Sequence, residues 1–228
     1  MTINDFTKIP PIEMDNMFEE ICSLIDKSKN NYGGRYIPLA SLAFRILEVY
    51  KSRYMTSSAA VSVHHNIKGG LLYHSYGMIK AADALCDIYN NLDRELVLCG
   101  AALHDIGKLW KYETSATGEA TYTVNGVLFG HLYIGASLIR QFVENENYYS
   151  EKVRLLIHSI LAHHGTQEWG TVSCPAIPEA YALHLIDNLD AKMYIFEEQF
   201  ENMPEETMTE KRPFGMENKI HKPNYNPS

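Results

Sequence analysis

The sequence has only four cysteines, and they form no paired motif. Cys22, Cys86, Cys99 and Cys174 are far apart in the chain, and no CxxC spacing occurs. A zinc ribbon is therefore excluded, because it needs closely paired thiolates. The mainly apolar surroundings are typical of reduced core thiols, so we expect a cytoplasmic protein.

A long hydrophobic run is also missing. The longest apolar stretch, residues 96–103, is interrupted by Gly100 and is followed by His104 and Asp105. It is much shorter than the roughly 20 residues of a membrane span. Residues 1–10 contain Asp5 and Lys8 and lack the apolar core of a signal peptide. The sequence therefore predicts neither export nor membrane insertion.

Positive charge is in short supply. The chain has 20 Lys and Arg against 28 Asp and Glu, which gives a formal net charge of −8. This balance opposes broad, non-specific attraction to nucleic-acid phosphates, but it is compatible with a small cationic pocket. The length of 228 residues and the 46% hydrophobic content suit one globular domain.

Apolar residues recur at helical spacing over most of the chain. This pattern predicts an all-α bundle, in which residues 96–103 are apolar on every side and form a central helix that Asp93 caps. The predicted helices cover residues 14–25, 39–50, 70–89 and 93–105, then resume after residue 130, around 153–163 and from 178.

One small β-hairpin is predicted at residues 121–129, with Asn125 and Gly126 in its tight turn. Residues 1–60 are expected to form helices that pack on a core domain of residues 60–200. Residues 201–228 contain four prolines and few apolar side chains, so we expect a loose tail there.

Histidines and aspartates recur at intervals close to one helix plus its connection. They lie at positions 74, 104, 105, 131, 163 and 187. Helical bundles build metal sites from side chains that face inward from different helices, and these intervals permit that arrangement. Asp105 can flank one ion beside His104 or bridge two, and Asp190 competes with Asp187 as the last carboxylate.

Mixed imidazole and carboxylate ligands favour a transition metal or zinc over calcium. We expect one or two divalent ions, with Mn, Fe, Co, Ni, Zn and Mg as the candidates.

The motifs around these residues resemble those of the HD-domain metal-dependent phosphohydrolases. His74, His104-Asp105 and Asp187 match the H…HD…D signature of that family, and the resemblance covers residues 60–195. The wider motifs look most like the catalytic domain of bacterial 3′-5′ exoribonucleases. They include HHNIKGGLLYH at 64–74, ALHDIGK at 102–108, GH at 130–131, AHHG at 162–165, EWG at 168–170 and IDNLDAKM at 186–193. Those enzymes carry an amino-terminal OB domain, whereas residues 1–60 here predict helices.

The resemblance implies an HD-domain helical bundle with two sets of ligands. His74, His104, Asp105 and Asp187 would hold one metal, while Asp105, His131 and His163 would hold a second. Such a metal pair clamps the attacking and leaving oxygens and lowers the pKa of bound water.

Four further residues are expected to act on the substrate. Lys108 would offset phosphate charge, although a lysine past a helix end can also simply favour the helix dipole. His164 would orient the phosphate or protonate the leaving oxygen. His65 would line the pocket unless it belongs to a solvated turn, and Trp169 would stack a base unless it covers a hydrophobic edge.

We therefore expect an enzyme: a metal-dependent phosphohydrolase that cleaves a phosphodiester of a nucleotide or of a short single-stranded nucleic acid. One alternative is a nucleotide phosphomonoesterase, and another is a non-catalytic metal-containing module that binds a nucleotide. The sequence leaves open whether the chain forms a homo-oligomer.

Overall fold

A computed structural model describes residues 9–61 and 67–225 of the chain. Short 3₁₀ turns occur at Tyr32–Gly34 and Gln167–Trp169. The α-helices are α1 (Met14–Lys27), α2 (Leu39–Val49), α3 (Lys51–Thr56), α4 (Gly70–Ile88), α5 (Arg94–Leu103), α6 (Lys108–Lys111), α7 (Val124–Val143), α8 (Ser150–Ala162) and α9 (Pro178–Glu201). The strands are β1 (Tyr112–Thr114), β2 (Ala120–Tyr122), β3 (Thr207–Met208) and β4 (His221–Lys222).

The apolar helix α5 lies at the centre of the bundle. It contacts α1, α2, α4, α8 and α9, and every residue from Glu95 to Leu103 is buried. Its start is fixed by Asp93, whose side chain accepts a hydrogen bond from the Leu96 amide at 2.9 Å. The prediction of an all-α bundle is confirmed, and α5 carries His104 and Asp105 at its carboxyl end.

One buried carboxylate ties the amino-terminal helices to this centre. Glu95 is 3% exposed and accepts hydrogen bonds from the amides of Asn30 at 3.2 Å and Ala40 at 3.0 Å. The Tyr32 hydroxyl also donates to it. The charge on Glu95 is therefore matched by three donors, one of them in the first turn of α2.

The structure contains a small hairpin, but not at the predicted residues 121–129, most of which belong to α7. Strands β1 and β2 pair antiparallel, with Tyr112 opposite Tyr122. Placing the turn at Asn125 and Gly126 is wrong, because the Thr123 side chain accepts from the Gly126 amide at 2.8 Å and caps α7. Gly126 also packs so closely on the backbone of Lys111 that a Cβ would clash. The structure contains a second small sheet, β3 with β4, that the sequence does not predict.

Helix α7 is interrupted at Gly130, whose backbone (φ 69°, ψ 160°) is not helical. Among the described helices, α7 alone is long and apolar enough to cross a membrane by length and composition. That is weak evidence, since core helices of bundles pass the same test, and α7 packs against α6 and α8. The kink matters more for the site, because it immediately precedes His131.

The segment after α9, for which the sequence predicts a loose tail, makes specific contacts in its described part. Ile220 is 2% exposed beside the β3–β4 sheet. The Lys222 ammonium donates to the carbonyls of Phe200 at 2.7 Å and Met203 at 2.8 Å, at the end of α9.

Candidate metal centre

Five helices bring the predicted ligands to one place inside the bundle. The ligands lie within α4, at the ends of α5 and α8, just after the kink in α7, and within α9. His74 is 1% exposed, His104 0%, Asp105 2%, His131 4% and His163 1%, while Asp187 is partly buried. So many buried titratable groups require either partners or an ion to compensate for lost hydration.

His74, His104 and Asp187 form the first group. The Nε2 atoms of His74 and His104 are 3.1 Å apart, and Asp187 Oδ1 is 3.2 Å from His74 Nε2. All three side chains offer ligand atoms within 4.8 Å of one another. Two atoms bound to one ion at about 2.0–2.1 Å lie at comparable separations, so this group fits a metal of zinc-like size.

Asp105 faces two groups of imidazoles with its two oxygens. Oδ2 is 3.2 Å from His104 Nε2 and 3.8 Å from His74 Nε2. Oδ1 is 3.3 Å from His131 Nε2 and 3.8 Å from His163 Nε2. The carboxylate thus lies between the first group and a second one, as a bridging ligand would.

The second group contains one residue more than the sequence predicts. His131, His163 and His164 offer ligand atoms within 4.8 Å of one another, so His164 is placed among possible ligands as well as beside the substrate pocket. The rings of His163 and His164 are 4.6 Å apart and nearly perpendicular.

Several of the imidazoles are oriented by acceptors behind them. His74 Nδ1 donates to Asp190 Oδ2 at 2.6 Å, His104 Nδ1 to the Ala101 carbonyl at 2.9 Å, and His163 Nδ1 to the Ile160 carbonyl at 2.7 Å. With Nδ1 donating to these acceptors, each Nε2 points toward the centre, where it can bind a cation once it carries no proton.

Asp190 and Asp187 contact different nitrogens of His74. Asp190 contacts the rear nitrogen, whereas Asp187 contacts the front nitrogen. Of the two carboxylates that the sequence leaves in competition, Asp187 lies on the ligand side.

Unpaired buried atoms provide an independent test of whether a metal fits. Asp105 Oδ1, His131 Nε2 and His164 Nδ1 are buried and have no hydrogen-bond partner among the described residues. Buried polar groups are rarely left unsatisfied, and these three atoms belong to the ligand groups. A divalent cation would satisfy them, so the donor set fits a metal centre.

Asp187 and Asp190 favour the protonated form of the His74 imidazole in the metal-free protein. Burial lowers the pKa of His74, but its hydrogen bonds to Asp187 and Asp190 outweigh that effect and raise the pKa to about 10. Burial also opposes ionisation of Asp105, yet Lys108 and His104 hold its pKa well below the usual range. A metal must therefore displace a proton from His74.

Three further imidazoles, those of His131, His163 and His164, are neutral. Burial and the neighbouring His104 lower the pKa of His163 to about 3, and burial lowers the pKa of His131 and of His164. Neutral imidazole is the form that binds metals.

A cavity opens onto this centre. Lys108 lies at its wall with Nζ 2.5 Å from Asp105 Oδ2, where an ammonium can also reach a bound anion. The residues that line the cavity are Asp105, Lys108, His163, His164, Trp169, His184, Asp187, Asn188 and Ala191. The predicted pocket residue His65 lies outside the described residues.

Sequence reasoning did not assign a function to Lys111, His184 or Asn188. Lys111 Nζ lies 3.3 Å from His131 Nδ1, while His184 and Asn188 line the cavity. Asn188 directly follows Asp187, and His184 lies one helical turn before it, so their helix positions were the available signal.

The chain is similar in sequence to a known domain family and to several characterised proteins. Residues 71–192 match the HD domain family. The 3′-5′ exoribonuclease YhaM of Bacillus velezensis is 36% identical over 226 residues, which are 99% of this chain and 69% of that protein. YhaM of Bacillus subtilis is 35% identical over the same shares. YhaM of Shouchella clausii is 32% identical over 98% of this chain and 67% of that protein. No solved structure matches the chain.

Proposed function

The chain belongs to the HD domain family of metal-dependent hydrolases, and we propose that it shortens single-stranded RNA from the 3′ end by cleaving phosphodiester bonds. The single observation that carries this proposal is the position of Asp105, whose two oxygens face two groups of buried imidazoles. The names of the YhaM relatives support the choice of RNA and of the direction.

We assign the metal ligands as follows. His74, His104, Asp105 and Asp187 would hold a first divalent ion, and Asp105, His131 and His163 would hold a second, with His164 as a further donor to the second group. When bound, such ions supply an activated water at neutral pH and stabilise charge on the phosphate oxygens. The protein itself holds the ligands in position, and its packed helices bury the site on the side away from the cavity.

Lys108 and His164 are assigned to the phosphate. The ammonium of Lys108 lies at the cavity wall, where it can pair with a non-bridging oxygen once that oxygen competes with Asp105. His164 is neutral because burial lowers its pKa. A neutral imidazole can donate one hydrogen bond, which suits holding a phosphate oxygen in place.

The proposal is tested with purified protein loaded in turn with Mn, Fe, Co, Ni, Zn or Mg and incubated with short end-labelled RNA and DNA. We expect stepwise shortening of RNA from its 3′ end. Asp105→Ala should lose both cleavage and bound metal, since it removes a ligand of both groups. Asp26→Ala, on the exposed face of α1, is the matched control and should keep full activity.

Other outcomes would replace the proposal. Release of inorganic phosphate from mononucleotides without strand shortening would identify a nucleotidase. Tight nucleotide binding with stoichiometric metal and no turnover would identify a binding module. Full RNA cleavage by Asp105→Ala would refute the assigned centre.

A further inference from the structure

The cavity at the metal centre is lined by two chemically different sets of residues. One set contains Asp105 and Lys108, which suit a phosphate group. The other set, called the aromatic wall below, contains Trp169, His184 and Asn188, which offer aromatic faces and an amide. A site for phosphate alone needs only the first set, so the aromatic wall calls for a larger ligand.

The aromatic wall is held by the same segment that supplies a ligand. His184 Nδ1 donates to the carbonyl of His163 at 3.0 Å. The His184 ring packs on Gly165, where a Cβ would clash with it and where φ is +80°. The ring of His184 is thus fixed against the end of α8, directly behind the metal ligands.

Trp169 rests on this fixed ring. Its indole centroid lies 5.7 Å from the His184 ring, and Tyr181 contacts the same imidazole edge-on at 6.4 Å. Even so, Trp169 is 54% exposed. Because Trp169 also lines the cavity, its indole is available to a ligand there.

The turn that carries Trp169 is anchored to α8. The Thr171 hydroxyl donates to the Leu161 carbonyl at 3.0 Å, and the Val172 amide donates to the same carbonyl at 3.2 Å. The Trp169 amide donates to the Thr166 carbonyl at 3.1 Å. The indole is therefore presented by a braced turn, and little ordering is needed when a ligand stacks on it.

We propose that this wall is a nucleobase subsite, in which the base of the 3′-terminal nucleotide stacks on Trp169 while His184 positions the indole. Asn188 lines the same cavity, and its amide can both donate to and accept from the edge of a base. Because every base has a stacking face, the subsite favours nucleotides over other phosphoesters without selecting one base. The inference rests on the proposed function for the position of the scissile phosphate.

Binding is tested separately from turnover. The chain has two tryptophans, so the variant Trp110→Phe leaves Trp169 as the sole indole reporter. In metal-loaded Trp110→Phe, we expect a nucleoside monophosphate to quench the tryptophan fluorescence and ribose 5-phosphate to leave it unchanged. Equal responses to the two compounds, or none to either, would overturn the subsite.

Turnover is tested with two RNAs that differ only at the 3′ end, where one carries a base and the other an abasic ribose. Trp169→Ala should raise KM for the first RNA by roughly 5- to 150-fold, the range that base–aromatic stacking gives, and should leave the abasic RNA unaffected. Trp169→Phe should keep most of the preference for the base. Identical loss on both RNAs would mean that Trp169 is only structural.

The role of His184 is tested with a double-mutant cycle. In the wild-type background, His184→Ala should reduce the preference for the base-bearing RNA. In the Trp169→Ala background, the same substitution should cause no further reduction of that preference. Additive losses would contradict a positioning role. Quenching without any cleavage would instead refute the proposed function and leave the subsite standing, so the two failures are distinguishable.

Discussion

His74 contacts two carboxylates at opposite ends of its ring, and this arrangement divides their roles. Asp187 is 3.2 Å from Nε2, on the ligand side, while Asp190 is 2.6 Å from Nδ1. Partners of this kind behind a ligating histidine fix its orientation and raise its basicity.

Replacement of the two carboxylates should therefore have different consequences. Asp190→Asn should weaken metal affinity by about 10–100-fold, the usual cost of losing a carboxylate behind a histidine ligand, yet leave a functional site at high metal concentration. Asp187→Asn should prevent recovery at any practical concentration. Chelator competition and activity as a function of metal concentration measure both, and equal effects would contradict the division of roles.

The shifted pKa values of His74 and His163 predict how the stability of the metal-free protein depends on pH. The folded pKa of His74, about 10, is above its ordinary value of 6.5, so its stabilising effect is complete below pH 6.5 and is lost as the pH rises toward 10. The folded pKa of His163, about 3, is below 6.5, so its effect is complete above pH 6.5 and is lost as the pH falls toward 3.

The melting temperature of the metal-free protein should accordingly be highest near pH 6.5 and fall on both sides. His74→Gln should remove the fall on the alkaline side. A wild-type melting temperature that does not change between pH 6.5 and 9.5 would show that His74 carries no extra proton when folded.

At the scale of elements, one carboxylate decides whether the amino-terminal helices stay docked. Glu95 matches three donors from the segment between residues 30 and 40. Glu95→Ala should leave the buried Ala40 amide unpaired and lower the free energy of unfolding by at least about 1 kcal/mol, because a buried donor left unsatisfied costs about 1–3 kcal/mol. Urea denaturation measures the loss, and exposed Glu19→Ala is the control. A change within about 0.5 kcal/mol would contradict this account of the docking.

The helices were predictable because most have one apolar face and α5 is apolar throughout. A list of candidate ligands was predictable, since the six positions lie at intervals of about one helix and stand in motifs that resemble the HD-domain family. Their distances were not, because convergence depends on how five helices pack. The error at residues 121–129 has a local cause: Asn125-Gly126 favours a turn, but Thr123 captures the Gly126 amide and starts α7. The His184 contact depends on a tertiary approach to Gly165 that no spacing reveals.

At the scale of the whole molecule, bound metal should stabilise the folded state against unfolding. The ligands belong to five separate helices, so the unfolded chain has no comparable site and binding stabilises the folded state. At a free metal concentration of 100 times Kd, the gain is about 2.7 kcal/mol, and a chain of this size should melt roughly 5–10 °C higher. Differential scanning calorimetry measures the shift. Asp105→Ala should show none, and an equal shift in that variant would place the metal elsewhere.

Anomalous diffraction from crystals grown with manganese tests the central claim most directly, namely that imidazoles and carboxylates from separate helices converge on a metal centre. We predict a strong anomalous peak in contact with His74, His104, Asp105 and Asp187, and a second peak on the far oxygen of Asp105 beside His131 and His163. Anomalous peaks only at surface sites, with the six side chains bonded among themselves, would contradict the account.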